Sequence, residues 1–203
     1  MNDVIGPSRT GEVNRKTNET SINVFIDLDG RGRYDIDTGI GFLDHMIEQV
    51  SKHSGVDIKL TCKGDLHIDC HHTVEDVGIA LGEAFKVALG DKKGIARYAD
   101  TITPMDECLV LVALDFSGRS FLKYTLPLKT QRLGTLETES IYEFFNGFSR
   151  SSGLTLHIKS LEDGNTHHML EGAFKGFARS IKSAITIIDS SQSAMIPSTK
   201  GSL

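Results

Sequence analysis

The stretch His71-His72-Thr73-Val74-Glu75 returns 96 positions later as His167-His168-Met169-Leu170-Glu171, and each copy opens a long run of apolar residues at helical spacing. Eight His and eleven Glu in 203 residues make one such His-His-x-x-Glu run a chance event of about 2%, and two of them about 10⁻⁴. A repeat of this kind decides the whole fold. Outward from the pairs, Ser54-Gly55-Val56-Asp57-Ile58-Lys59-Leu60 is echoed by Ser152-Gly153-Leu154-Thr155-Leu156-His157-Ile158 at an offset of 98. Two offsets that differ by two residues require one loop of unequal length.

Both halves read alike. Ile22, Val24, Ile26 and Leu28 alternate with polar residues, as do Val56, Ile58, Leu60 and Cys62, which predicts sheet with one wet face. Phe42, Leu43, Met46, Ile47 and Val50 keep helical spacing, and Val74, Val77, Leu81, Ala84, Phe85 and Ala88 describe a second amphipathic helix. The second half predicts strands near Leu109–Asp115, Ser120–Thr125 and Leu154–Ile158, with helices near Glu139–Arg150 and His167–Ile187. The order is strands, helix, strand, helix, twice. The expected division is residues 1–96 and 97–188 as the two repeat halves of one compact domain, followed by a Ser-rich tail, 189–203. Asp69 and Asn165 each stand two residues before a His pair and suit a helix N-terminus. A polar N-terminal arm precedes the first strand, and by composition alone the tail is disordered.

Composition excludes several classes. With 39% hydrophobic and 24% charged residues, the chain is ordinary globular protein of one to two domains. A net charge of −5 offers no basic surface for nucleic acid. No stretch reaches the roughly 18 apolar residues of a membrane span, and no apolar leader opens the chain, so a soluble cytoplasmic protein is expected. Cys62, Cys70 and Cys108 are odd in number and lack CxxC spacing, so each reads as a small buried residue.

The repeated pairs carry the chemistry. On a helix, positions i and i+4 share a face, so His71 with Glu75, and His167 with Glu171, can converge on one ion. The adjacent His72 and His168 point about 100° away, toward a second ion. The 98 offset carries His45 onto Glu143, which gives each half one more metal-capable side chain. The set is His45, His71, His72, Glu75, Glu143, His167, His168 and Glu171, four ligands for each of two ions. Imidazole with carboxylate and no thiolate suits a divalent ion such as Mn²⁺, with Fe²⁺, Co²⁺ or Zn²⁺ as alternatives. His53, His67 and His157 lack such partners and read as surface or sheet-face imidazoles. Arg97, Arg119, Lys175 and Lys200 read individually as solvated charges, and Glu19 as surface. Pro197-Ser198-Thr199-Lys200-Gly201 could fold around a phosphate but lacks Walker spacing.

Gly41-Phe42-Leu43-Asp44-His45-Met46, the run Asp69 to Asp76, Pro104-Met105-Asp106-Glu107, Asn165-Thr166-His167-His168 and Pro197 to Gly201 together resemble the imidazoleglycerol-phosphate dehydratases of histidine biosynthesis, from about Arg9 to Leu203. The resemblance, to the monofunctional form without a fused phosphatase, implies a duplicated α+β fold of the ribosomal protein S5 domain 2-like type. Each half would be a four-stranded sheet with helices on one face, and the chains would assemble into a 24-subunit shell. It also implies two Mn²⁺ per active site at subunit contacts, held by the eight positions above, with Glu143 where many members carry His. The implied reaction removes water from D-erythro-imidazole-glycerol phosphate to give imidazole-acetol phosphate, through a metal-bound imidazolate and a diazafulvene-like intermediate. The resemblance assigns proton transfer to Glu19, Glu171 and, to a lesser degree, Asp106. It assigns phosphate contacts to Arg97, Arg119, Lys175, Ser198 and Lys200, with Gln49 and His53 nearby, and expects the tail to order when phosphate binds. Glu19 counts there as a substrate contact too. From the residues alone, a two-metal hydrolase and a non-catalytic metal-binding shell are the competing readings.

Overall fold

A computed structural model describes residues 9–188 and 195–201. The chain runs β1 (Thr10–Lys16), β2 (Thr20–Asp27), β3 (Tyr34–Asp37), α1 (Gly41–Ser54), β4 (Asp57–Gly64), α2 (His71–Leu89), β5 (Tyr98–Met105), β6 (Cys108–Asp115), β7 (Phe121–Thr125), β8 (Arg132–Leu133), β9 (Leu136–Glu137), α3 (Ser140–Ser152), β10 (Thr155–Glu162) and α4 (Thr166–Ala184). The first sheet orders its strands β1-β2-β4-β3 and the second β5-β6-β10-β7, the same order in each half. In both, three strands pair antiparallel and the last pairs parallel, β3 on β4 and β7 on β10.

The apolar periodicities explain the layering. Ile22, Val24, Ile26, Ile58 and Leu60 point inward from the first sheet, and Val110, Val112, Leu156 and Ile158 from the second, all essentially buried. Helices α1 and α2 cover the first sheet and α3 and α4 the second, and the helix layers then meet, α2 on α3 and α1 on α4. Phe144, Phe145 and Phe148 of α3 pack against Phe174 and Phe177 of α4, and Phe85 of α2 reaches Phe148 across the layers, with ring centroids 4.8 to 5.4 Å apart. Each contributes about 1.5–3 kcal/mol of burial. Where α2 crosses α3, Gly78 lies so close that a Cβ there would sit 2.3 Å from the Phe144 carbonyl oxygen, and one on Gly147 would sit 2.9 Å from that of Glu75. The close crossing carries Glu75 and Glu143 on neighbouring turns of two helices whose backbones almost touch.

The structure corrects the sequence reading in four places. The N-terminal arm is strand β1 from Thr10 onward, while Met1–Ser8 lie outside the described residues. Strands β3 and β5 were not expected; like β1 they are edge strands, so one flank and one face meet water and apolar alternation thins out. Helix α4 ends at Ala184 rather than Ile187, because Ile187 leaves to bridge Ile95. A β8–β9 hairpin stands between β7 and α3 with no counterpart in the first half. The unequal loop has a place: seven positions separate Gly64 from His71, and five separate Glu162 from His167.

Candidate metal centre

The two His pairs have the same shape. The rings of His71 and His72 lie 6.1 Å apart at 88°, and those of His167 and His168 lie 6.1 Å apart at 81°. Both pairs sit in first helical turns, where Asp69 accepts the His71 N–H at 2.8 Å and Asn165 accepts the His167 N–H at 2.8 Å. On the shared helix face, His167 Nε2 stands 3.2 Å from Glu171 Oε2, and His71 Nε2 stands 4.0 Å from Glu75 Oε2. Two donors on one divalent ion lie roughly 3.0–3.5 Å apart, so these imidazole–carboxylate pairs fit a metal with little or no adjustment.

Packing sorts six of the eight candidate ligands into two groups within one chain. His45, Gln49 and His53 form a ladder along α1, with His53 Nε2 3.1 Å from Gln49 Oε1. His167, Glu171 and Lys175 form a ladder along α4, with Lys175 Nζ 2.6 Å from Glu171 Oε1. The helices pack together, and the Phe42 ring meets the His167 ring edge-on at 5.0 Å. His71 and Glu75 on α2 and Glu143 on α3 make the second group; Glu143 accepts from Asn146 at 3.4 Å. Among the described residues, the one trio of metal-capable side chains whose ligand atoms all lie within 4.8 Å of one another is Asp106, Glu107 and His168. Burial pushes the Glu171 carboxyl up, but Lys175 and then His167 outweigh it and hold the group below the usual carboxylate range. Burial pulls the His53 imidazole down, and the Lys175 and Arg179 charges add to this.

His72 and His168 point instead toward carboxylates at hairpin tips. Glu19, between β1 and β2, has its carboxylate 3.7 Å from His72 Nε2, and Asp106, between β5 and β6, lies 3.9 Å from His168 Nε2. The first hairpin is pinned by Asp76, the residue after Glu75, which takes the Arg15 guanidinium at 2.7 Å and the Thr20 hydroxyl. Asp106 holds a backbone φ of 49°. Sequence reasoning missed Asp65 and Glu107. Each holds an Nδ1 at 2.9 Å, Asp65 that of His72 and Glu107 that of His168. These contacts raise both imidazoles above the ordinary histidine range. The Asn165 backbone N–H, followed by His168, draws Glu107 down to about 2.

A third group is cationic. Arg97 is buried, with φ of 74°, a conformation that persists in a non-glycine residue only when its surroundings fix it. Its N–H donates to Ala184 at 2.8 Å, Nε and Nη2 donate to Asp115 at 2.7 and 3.1 Å, and Nη1 donates to Pro197 at 2.7 Å. Arg119 lies 3.9 Å from the same Asp115. With Tyr98 and Met195–Lys200 these arginines line a cavity of about 620 Å³. Within it, Ser198 Oγ accepts the Lys200 N–H at 3.2 Å. Of the predicted phosphate contacts, Arg97, Arg119, Ser198 and Lys200 therefore meet, whereas Gln49, His53 and Lys175 stand beside Glu171. The rest of the tail, residues 189–194, 202 and 203, lies outside the described residues. His67 and His157 are exposed, and all three cysteines are buried. No helix among the described residues is long and apolar enough to cross a membrane.

Two solved structures share this architecture. The chain is similar to imidazoleglycerol-phosphate dehydratase from Staphylococcus aureus, with TM-score 0.80 and 36% identity over 88% of this chain and 99% of that one. It is also similar to the enzyme from Pyrococcus furiosus, with TM-score 0.78 and 35% identity over 94% and 100%. The fold class is thus that of the duplicated α+β dehydratases. A sequence model of the imidazoleglycerol-phosphate dehydratase family matches residues 38–181. Relatives of that name are 53% identical in Cereibacter sphaeroides, over 96% of this chain and 100% of the relative, and 55% identical in Prochlorococcus marinus, over 97% of each. The chain belongs to the imidazoleglycerol-phosphate dehydratase family and is a hydro-lyase.

Proposed function

We propose that this chain removes water from imidazole-glycerol phosphate to give imidazole-acetol phosphate in cytoplasmic histidine biosynthesis, and that it needs divalent metal to do so. One observation carries the reading: the duplicated His pairs present two matching nitrogen–carboxylate faces, each beside a hairpin-tip carboxylate, Glu19 or Asp106, suited to moving a proton. The hydrogen to be removed lies on a carbon with no neighbouring carbonyl, so the imidazole ring has to carry the charge. Two Mn²⁺ ions, or similar divalent ions, would supply Lewis acidity that stabilises negative charge on that ring. His45, His71, His72, Glu75, Glu143, His167, His168 and Glu171 would hold them. The resemblance sets Glu143 where many members carry His; its carboxylate would offer an oxygen in place of a nitrogen donor and shift the preference toward harder ions.

The remaining steps belong to the chain's own groups. Glu19 takes the carbon-bound proton, a role suited to a half-exposed carboxylate at a hairpin tip, and Asp106 and Glu171 are the further candidates for proton transfer. Arg97, Arg119, Ser198 and Lys200 would grip the phosphate, ordering the tail around it, with Lys175, Gln49 and His53 closing the opposite end. The separation of His45, His167 and Glu171 from His71, Glu75 and Glu143 supports a centre completed between subunits, as a 24-subunit shell would provide. On this reading residues 1–96 and 97–188 are the repeat halves, and 189–203 is the substrate-binding tail.

The test incubates purified protein with imidazole-glycerol phosphate and Mn²⁺, with and without chelator, and follows the ketone. Ketone that disappears on chelation is the expected result. Its absence at saturating metal refutes the dehydratase reading, and release of inorganic phosphate would favour a two-metal hydrolase. Glu19→Gln should retain bound Mn²⁺ while losing at least about 10²-fold in turnover, the scale of one general acid–base group. Unchanged turnover removes Glu19 from the mechanism.

A further inference from the structure

The geometry points to Asp65 and Glu107 as positioning residues that fix the imidazoles of His72 and His168 with Nδ1 protonated and Nε2 turned outward as a metal donor. Each carboxylate oxygen lies 2.9 Å from its Nδ1. A carboxylate accepts, so Nδ1 carries a proton, and in the neutral ring the lone pair is on Nε2, the arrangement by which an outer partner orients a metal-bound histidine. In both cases the freed Nε2 faces the hairpin-tip carboxylate, Glu19 at 3.7 Å and Asp106 at 3.9 Å.

The duplication by itself does not supply these contacts. Asp65 comes from the loop between β4 and α2, whereas Glu107 comes from the hairpin between β5 and β6. The residue that the 98 offset matches to Asp65 is Asp163, which is exposed, and it is Glu107 that holds His168. Two unrelated stretches of backbone thus deliver an acceptor to the same ring atom at the same distance. Glu107 belongs to the compact trio with Asp106 and His168, but both its oxygens are already engaged. One oxygen of Glu107 accepts the Asn165 N–H at 2.6 Å while the other holds the ring, so it is tied to the start of α4. One oxygen of Asp65 holds its ring, and the other is buried with no hydrogen-bond partner among the described residues.

This inference rests on the proposal that His72 and His168 bind metal, and the experiment separates the two. Mn²⁺ is titrated into metal-free wild type, Asp65→Ala and Asp65→Asn, with free Mn²⁺ followed by its electron paramagnetic resonance signal and the thermal stability of each metal-free protein recorded alongside. Asp65→Ala should weaken Mn²⁺ binding by about 10–100-fold. Asp65→Asn, whose amide oxygen can still accept the Nδ1 proton, should recover most of that loss, a pattern that a general packing defect would not give. Equal affinity for Asp65→Ala and wild type overturns the inference, as does equal weakening in Ala and Asn variants of unchanged metal-free stability. If Asp65→Ala does not fold, Glu107→Ala against Glu107→Gln, at an exposed position, carries the same comparison. A wild type that binds no Mn²⁺ overturns the metal reading, and this inference with it.

Discussion

Gly78→Ala places one methyl group where α2 meets α3. Its Cβ would fall 2.3 Å from the Phe144 carbonyl oxygen and 3.0 Å from the Phe144 Cα. A carbon tolerates an oxygen at about 3.3 Å, so the helices must part by about 1 Å. Two effects oppose each other. Alanine in a helix interior gains about 0.8–1 kcal/mol over glycine, while overpacking a well-filled interface costs typically about 1–3 kcal/mol and occasionally more. Phe144 oxygen is backbone, fixed inside α3, so it cannot rotate away and the upper part of that range applies. The net expectation is a loss of about 1–2 kcal/mol, or roughly 2–8 °C in thermal midpoint at about 2–4 °C per kcal/mol for a chain of this length. The displacement also moves Glu75, one turn away on α2, relative to Glu143, and about 1 Å of misplacement at a reacting site can cost about 10²-fold in rate. The assay is thermal denaturation beside kcat/KM. Gly172→Ala in α4 is the control, since its Cβ would meet only side chains at 3.3 Å or more; it should be neutral or stabilising. Wild-type stability and rate for Gly78→Ala, or an equal loss in the control, would refute the reasoning.

Two more perturbations follow from the geometry. Asp115→Asn replaces the carboxylate that holds Arg97 at 2.7 and 3.1 Å and sits beside Arg119; a hydrogen bond to a charged group is worth about 1.5–3 kcal/mol, so KM should rise about 10–100-fold with a smaller change in kcat, and an unchanged KM would free the phosphate assignment from Arg97. Asp57 accepts the backbone N–H groups of Arg31 and Arg33 at 2.7 and 2.8 Å and the Arg33 side chain at 2.9 Å; burial pushes its carboxyl up, but those donors prevail and leave it below its usual 3.8. A carboxyl depressed in the folded state gives its full stabilisation above its unfolded pKa and loses it as pH falls through the folded value. Asp57→Ala should therefore cost about 1–3 kcal/mol near neutral pH, a gap that narrows below pH 4 in denaturant titrations; a constant gap would mean that the charge is irrelevant.

Much of this protein was legible from its sequence, because repetition and periodicity are properties of the chain. The 96 and 98 offsets dictate two like halves, apolar spacing separates the central strands from the helices, and helical geometry alone puts His71 with Glu75 and His167 with Glu171 on shared faces. Edge strands β1, β3 and β5 were illegible because half their surroundings are solvent, which exerts little demand for apolar alternation, whereas the edge strand β7 still alternates around Leu122 and Tyr124. What only the tertiary structure decided is which turns of chain meet. That α1 lies on α4 and α2 on α3 sets His45, His167 and Glu171 apart from His71, Glu75 and Glu143, a consequence of how the two helix layers face each other. Asp65 and Glu107 reach their imidazoles from unrelated loops, and Asp115 gathers two arginines under the tail. A carboxylate's partner is set by the path of the backbone through space, and no local pattern of residues encodes that path.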